Sequence, residues 1–378
     1  MYQPNRLEGG LVTRYEPLEF TFDGKTFKGF QGDTLASALL ANDVRLMGRS
    51  FKYHRPRGPL TAGSEEPNAL VELRDGARQE PNTRATTTEL FDGLSARSQN
   101  RWPSLGFDVM AINDRFHNFL SAGFYYKTFM YPAAFWEKYY EPIIRRAAGL
   151  GSLSDAPDPD SYDKGFLHCD LLIIGAGPAG IMAALTAARS GAQIILADED
   201  FVLGGGLNAE KFEVDQTHGS AWAAARIKEL SEMPNVRVMS RTTIMGAFDH
   251  GIYGAVERVS DHLAEPAPGK PRQILWRIYT KRAILAAGAT ERTIAFHKND
   301  RPGIMLASAM RSYANRWAVT AAQDVAIFTN NDDGHRTARD LADKGVNVTA
   351  VVDVRGDAPS SNHYEVIAGG QITNTQGR

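Results

Sequence analysis

The sequence predicts an α/β chain in which a doubly wound, largely parallel sheet follows a small β-rich amino-terminal module. Three observations carry this. A strand, a glycine turn, a helix and a second strand follow one another between Cys169 and Asp200. A later strand, Lys281 to Ala287, ends in a small-residue turn at Gly288 and fits a return to the same sheet. Ahead of both, Leu18 to Phe22 and Thr26 to Phe30 alternate around an Asp23-Gly24 hairpin signal, and Thr34 stands where it can cap a short helix, Leu35 to Asn42.

In the first of these units, Asp170 to Ile174 is the short aliphatic run that a buried parallel strand requires. Gly175, Gly177 and Gly180 follow at G-x-G-x-x-G spacing, then an alanine-rich helix, Ala179 to Arg189, stopped by Gly191. A second strand, Gln193 to Ala197, ends in Asp198 and Glu199. With a dinucleotide bound, each glycine has a physical role. Gly175 permits the tight turn, Gly177 admits the pyrophosphate to the backbone, and Gly180 lets the helix lie close to the strand. The helix start adds free N–H groups and a partial positive charge. Asp198 lies 18 residues beyond Gly180, about where a carboxylate meets the adenosine ribose. An acid there favours NAD or FAD over NADP, whose 2′-phosphate it repels. A plain βαβ unit shares the strands and helix, but the ordered set of turn, helix and terminal acid favours the dinucleotide.

A length of 378 residues allows two or three domains. With 43% hydrophobic and 23% charged residues the composition is globular, and a net charge of −2 gives no global field for nucleic acid or an anionic membrane. There is no 18-residue apolar run and no apolar signal core in Met1 to Gly10, so the cytosol is the expected compartment. Cys169 is the single cysteine. That excludes an intrachain disulfide, a redox cysteine pair, a cysteine-ligated iron–sulfur cluster and a thiolate zinc site within the chain. Just before a buried strand, it reads as a small core residue.

The expected divisions are 1–105, 106–165, 166–323 and 324–378. In the first, the strand–turn–strand–helix order resembles a plant-type ferredoxin (β-grasp) module, yet the loop that carries clustered cysteines in that family, Gly48 to Gly58, has none here. The loop is basic, with Arg49, Lys52, Arg55 and Arg57 around His54, and reads either as an anion or partner-docking surface or as a solvated loop. Residues 76 to 105 read as polar and irregular. Asn118 to Gly149 is aromatic and helical, its density pointing to core or interface packing, with an aromatic cage as the other possibility. Ser152 to Gly165 reads as a linker.

Beyond Asp198, Leu203 to Leu207 is a glycine turn on which a cofactor can lie, Ala221 to Met233 an amphipathic helix, and Val236 to Met239 a strand ahead of Thr242-Thr243-Ile244. Gly251 to Val259 and Ile274 to Tyr279 read as paired strands, and Lys281 to Ala287 as a further, buried one. A second turn of this kind resembles the two-dinucleotide-domain, glutathione-reductase-like flavoproteins. Asp324 to Thr329, a helix Thr337 to Lys344 and a strand Val346 to Val352 form another βαβ unit. Its turn, Asn330 to Gly334, has one glycine and two carboxylates, which oppose a pyrophosphate, so this unit is expected to be a degenerate second dinucleotide subdomain.

Taken together, the cysteine-free module bearing S-F-K-Y-H-R-P-R-G, the aromatic segment ending A-A-G-L-G, and then G-A-G-P-A-G, A-D-E-D, A-A-G-A-T-E-R and D-R-P-G-I-M resemble the α subunits of heterotetrameric sarcosine oxidase over nearly the whole chain. The resemblance implies NAD at the glycine fingerprint, with FAD and covalent FMN on or shared with a partner β subunit, and small γ and δ subunits, δ carrying zinc. It implies oxidation of sarcosine with O2 and tetrahydrofolate to glycine, 5,10-methylenetetrahydrofolate and hydrogen peroxide. The folate half of such subunits lies beyond Arg378, so the chain reads as truncated. Carried over, Gly175, Gly177, Pro178, Ala179 and Gly180 hold the pyrophosphate, Asp198 and Glu199 the ribose, Gly205 and Gly206 line the cofactor, Ile244 meets adenine and Gly288 closes the site. No catalytic or metal-binding residue is assigned. Two other readings stand beside this one: an FAD-dependent amine or opine dehydrogenase, or hydrogen cyanide synthase-like, subunit, and a scaffold whose nucleotide site has lapsed.

Overall fold

The computed structural model describes residues 3–120, 123, 131–147, 149 and 151–376. At the amino terminus the expected hairpin forms β1 (Thr13–Phe22) and β2 (Lys25–Gln31). Helix α1 (Leu35–Ala41) begins in a reciprocal cap: the Thr34 hydroxyl accepts from the Ser37 amide and the Ser37 hydroxyl from the Thr34 amide. All seven residues of α1 are buried, with Leu35, Leu39 and Leu40 against Phe20 and Leu94 in one core. Each such leucine contributes about 1.5–3 kcal/mol by leaving water.

A two-residue ladder, β3 (Gly48–Arg49) with β4 (Pro56–Arg57), closes the basic loop. The loop's three arginines are engaged within the chain. Arg49 donates to the Leu105 and His54 carbonyls, Arg55 pairs with Asp114, and Arg57 with Asp300. His54 is buried, its Nδ1 2.6 Å from Asp108 Oδ2, so it braces the loop. These contacts leave fewer of the loop's charges available to an anion.

The sheet is completed by β5 (Leu70–Leu73), β6 (Glu80–Arg84) and β7 (Leu94–Ser98), in the order β2-β1-β7-β5-β6. This corrects the irregular reading of 76–105. Strand β7 is central, parallel to β1 and antiparallel to β5. It escaped notice because two of its three inward positions, Ala96 and Ser98, are small or polar, and β6 is a polar edge.

Ahead of the aromatic segment is a helical turn, Val109–Phe116, and among its described residues are short turns, Ala133–Phe135 and Trp136–Tyr140, leading into α2 (Glu141–Ala147). Phe124, Tyr125 and Phe129 lie outside the described residues. Phe119 and Tyr131 are 78% and 87% exposed, so these two rings are not part of a core.

Next, β8 (Tyr162–Ile174) starts inside the stretch read as linker. After it come α3 (Pro178–Arg189), β9 (Ile194–Ala197), a small hairpin of β10 (Glu213–Val214) and β11 (Thr217–His218), then α4 (Gly219–Ser231), β12 (Val236–Met239), β13 (Thr242–Phe248), β14 (Ile252–Arg258) and β15 (Gln273–Leu285). The six-stranded sheet runs β12-β9-β8-β15-β14-β13, its first four strands parallel and the rest antiparallel. Helices α3 and α4 bury Ile181, Leu185, Trp222 and Leu230 against Ile173 and Leu196. Cys169 lies with Leu172, Ile195 and Ile278 in a separate cluster, where burial pushes its thiol upward. The two strands expected at 274–279 and 281–287 are one. Pairing with β8 runs from Gln273 to Leu285 and carries the chain past the exposed Lys281 and Arg282, and Leu285 is itself exposed.

Finally α5 (Ala307–Arg316), β16 (Asp324–Thr329), α6 (Asp332–Asp343), β17 (Asn347–Asp353) and β18 (Glu365–Ala368) form a parallel three-stranded unit, β16-β17-β18. Its core is continuous with that of the amino-terminal module. The hydroxyl of fully buried Tyr313 donates to the Thr61 carbonyl at 3.1 Å, and the Trp317 indole to that of Gly32 at 3.1 Å. Among the described residues no helix is long and apolar enough to cross a membrane.

The amino-terminal module is also fastened to the six-stranded unit. Arg241 clamps Glu89 through two hydrogen bonds of 2.6 Å. Arg241→Ala is expected to cost about 1–2 kcal/mol, because a bidentate pair is lost and Glu89 is left without its cation. Urea unfolding checks this, as a lower midpoint at an unchanged m-value.

Candidate functional site

The glycine turn connects β8 to α3 under tight steric limits. Gly175 has φ +103, and a Cβ there would lie 2.5 Å from the Ala286 carbonyl oxygen at the end of β15. At Gly180 a Cβ would lie 1.9 Å from the Gly175 carbonyl oxygen, so the helix can approach the strand only without a side chain. Gly177 is the N-cap of α3, and a Cβ there would point into open space. Pro178 and Ala179 make the exposed first turn of the helix, with Pro178 at a position where no N–H is required.

A second glycine turn comes up against the first. Gly204 donates from its amide to the Ala176 carbonyl, and a Cβ on Gly205 would lie 2.9 Å from the Gly177 Cα. The result is a cleft of about 770 Å3 at the carboxyl ends of the parallel strands, where ligands bind in doubly wound sheets. Gly175, Asp198, Glu199, Gly205 and Ile244 line it together. Gly206 faces a smaller neighbouring recess instead, and at the end of β15 the lining residues are Leu285 and Ala287 rather than Gly288.

The two adjacent acids do different things. Asp198 accepts from the Ala176 amide at 2.6 Å and the Asp200 amide at 2.8 Å, so both its oxygens brace the turn. Burial, with Asp200 and Glu199 close by, holds its carboxyl above the usual range in spite of these donors. Glu199 is exposed to the cleft and accepts from the Ser64 hydroxyl at 2.5 Å. Of the pair, Glu199 is the one presented to a ligand. Asp200 faces inward to Arg316, at 2.5 and 2.7 Å; burial opposes its ionisation, but the guanidinium outweighs burial and keeps the carboxyl below its usual range.

The opposite wall comes from the amino-terminal module: Thr34, Ala62, Gly63, Ser64, Arg84, Thr86 and Thr87. None of these was legible as a site residue, since they carry no motif and lie 88 residues or more from Gly175. Arg258, at the end of β14, links the two walls by donating to the carbonyls of Glu199 and Thr87.

The second βαβ unit has the same layout but fills it with its own side chains. Asp333, in the turn, pairs with Arg311 and Arg336, and Asp332 with Arg355. Asp353 ends β17 where a ribose-binding acid would stand, but it is fully buried, accepting from Arg355 and lying 2.9 Å from His335 Nε2. Chiefly through the Arg355 hydrogen bonds, its carboxyl is held well below the usual range.

Comparison with known proteins fits this architecture. Residues 15–101 match the model of a 2Fe-2S iron–sulfur cluster binding domain, and residues 170–256 that of an FAD dependent oxidoreductase. The first match concerns fold, since no cysteine lies in 15–101 to ligate a cluster. Sarcosine oxidase subunit alpha of Rhizobium meliloti is 57% identical over 346 residues, covering 92% of this chain and 35% of that one. The subunit of the same name from Corynebacterium sp. strain P-1 is 36% identical over 96% of this chain and 33% of its own. The chain thus spans about a third of the length of these relatives. Among solved structures, L-proline dehydrogenase from P. horikoshii superposes with a TM-score of 0.61 at 20% identity, covering 96% of this chain and 57% of that one, which establishes shared architecture.

Proposed function

The chain is homologous along nearly all of its length to sarcosine oxidase α subunits, and from that premise we propose that it is the dinucleotide-holding part of such a subunit. The complex would oxidise sarcosine with O2 and tetrahydrofolate to glycine, 5,10-methylenetetrahydrofolate and hydrogen peroxide, in the cytoplasm, with FAD and FMN on or shared with a β subunit and with γ and δ subunits completing it. The observation that carries the reading is the cleft that brings Gly175, Gly205 and Glu199 together beside the turn that leads into α3.

In this reading the ligand is NAD. The amides of the first turn of α3 face its pyrophosphate, with Gly177 leaving the approach open. Glu199 accepts from the ribose hydroxyls, and Asp198 acts one step back by fixing the turn through the Ala176 amide. Ile244 and Thr243 lie on the adenine side of the cleft. The second unit takes no nucleotide, because its acids are already engaged by Arg311, Arg336 and Arg355. A bound NAD would supply a nicotinamide ring able to carry hydride; this chain's residues bind and orient it, and no side chain is assigned to proton transfer.

One finding favours a second reading, FAD in the same cleft: the match of residues 170–256 to FAD dependent oxidoreductases. The two share the ADP moiety that the turn grips. Denaturing the purified chain and identifying the released nucleotide by absorbance and mass separates them. NAD+ without flavin is the expected outcome; FAD would make this chain the flavin carrier, and no nucleotide in an intact protein would count against both.

A further inference from the structure

A ferredoxin-like module without cluster cysteines has no electrons to carry, yet it forms one wall of the cleft. We infer that this module is a fixed cap over the adenosine half of the dinucleotide site, and that Ser64 at its tip is a specificity-determining residue. The inference rests on the dinucleotide reading of the cleft.

The segment that bears Ser64 is wound around a buried carboxylate. Glu66 is 1% exposed and accepts five hydrogen bonds: from the Leu60 and Thr61 amides and the Thr61 hydroxyl on one oxygen, and from the Asn68 and Ala69 amides on the other. The Thr86 hydroxyl donates to the Gly63 carbonyl at 2.7 Å, and Tyr313, from α5, donates to that of Thr61. A loop held at both ends and around its centre is a rigid wall, not a lid.

From that wall the Ser64 hydroxyl reaches Glu199 at 2.5 Å. Glu199 follows the second parallel strand, at the position from which an acid meets the ribose diol. Ser64 therefore acts on the ligand through Glu199, as a positioning residue. It holds the carboxylate on the cleft side and leaves the second oxygen to the ribose. The arginines of the cleft are engaged within the chain, Arg84 with the Glu66 carbonyl, Arg258 with those of Thr87 and Glu199, and Arg316 with Asp200. A 2′-phosphate would meet the fixed negative charge of Glu199, which selects an adenosine dinucleotide with a free 2′-hydroxyl.

The test measures binding of NAD+, NADP+ and FAD to the full chain and to three variants by calorimetry, after removal of any co-purified nucleotide. Ser64→Asp sets a second carboxylate against Glu199 and is expected to weaken the preferred dinucleotide by about ten-fold or more. Ser64→Ala, which only releases Glu199, is expected to cost about three-fold and to narrow the NAD+ to NADP+ preference. Ser64→Thr keeps the hydroxyl and is expected to restore that preference, which a purely structural role for the loop would not do. Ser64 is on the cleft surface, so unchanged melting curves are expected for all three. Wild-type affinity for NAD+ or FAD with the Ser64→Asp and Ser64→Ala variants unchanged in both affinity and preference would overturn the cap while leaving the dinucleotide reading standing. A wild-type protein that binds none of the three ligands overturns the dinucleotide reading itself, and the cap with it.

Discussion

Gly180→Ala is expected to empty the cleft and to destabilise the six-stranded unit by about 3 kcal/mol or more. The added methyl would sit 1.9 Å from the Gly175 carbonyl oxygen, a backbone atom that cannot rotate away. Helix α3 would have to lift from β8, giving up its packing on Ile173 and Leu196 and moving the first-turn amides away from the ligand. The informative partner is Gly177→Ala, three residues earlier. There the backbone is in the extended region, at φ −73 and ψ −179, and the methyl meets nothing within 4 Å. Stability is expected to stay within about 1 kcal/mol of wild type, while dinucleotide affinity falls by about ten-fold or more because the methyl occupies the pyrophosphate approach. Thermal melts with and without added dinucleotide read both quantities. Equal stabilisation by ligand in Gly177→Ala and wild type would show that the pyrophosphate does not pass there.

Asp353→Ala is the second large effect, and it reports on the carboxy-terminal βαβ unit. The carboxylate is fully buried and serves Arg355 and His335 together. Its removal leaves His335, itself 2% exposed, without that partner, at a cost of about 3 kcal/mol. The pH dependence has a definite sign. A carboxyl held below its unfolded value adds stability that is fully present above that value, about 3.9, and disappears as pH falls through the lower folded one. Urea midpoints for wild type should therefore drop below about pH 4, and Asp353→Asn should flatten that part of the profile. An Asp353→Asn profile identical to wild type would remove Asp353 from the account.

How much of this could be seen in the sequence follows from the range of the interactions concerned. The Gly175–Gly180 turn was legible because its constraints are local: each glycine answers a clash within a few residues or with an adjacent strand end. Which of Asp198 and Glu199 keeps its carboxylate for a ligand was not, because that depends on the Ala176 and Asp200 amides that engage Asp198 in the folded turn. The strands expected at Ile274 to Tyr279 and Lys281 to Ala287 are one, because the ladder to β8 holds β15 straight through Thr280. Strand β7 has Leu94 as its one large inward side chain, so its alternation was faint. Ser64 was beyond reach altogether: its partner lies 135 residues away, and only the folded chain brings the two together.

The long pairing of β8 with β15 also sets a timetable for synthesis. Tyr162 pairs with Gln273, and the same offset of 111 residues holds along the ladder to Ile174 and Leu285. A ribosome adding roughly 5–20 residues per second needs roughly 6–22 s to deliver the second strand after the first. Strand β9 can close one edge of β8 early, but the other edge, including the apolar run from Leu171 to Ile174, waits with open backbone groups until β15 emerges. The nascent chain is thus most vulnerable between these two strands. Substitutions that slow the docking of β15 will lower the yield of soluble protein before they change the stability of the molecules that finish folding.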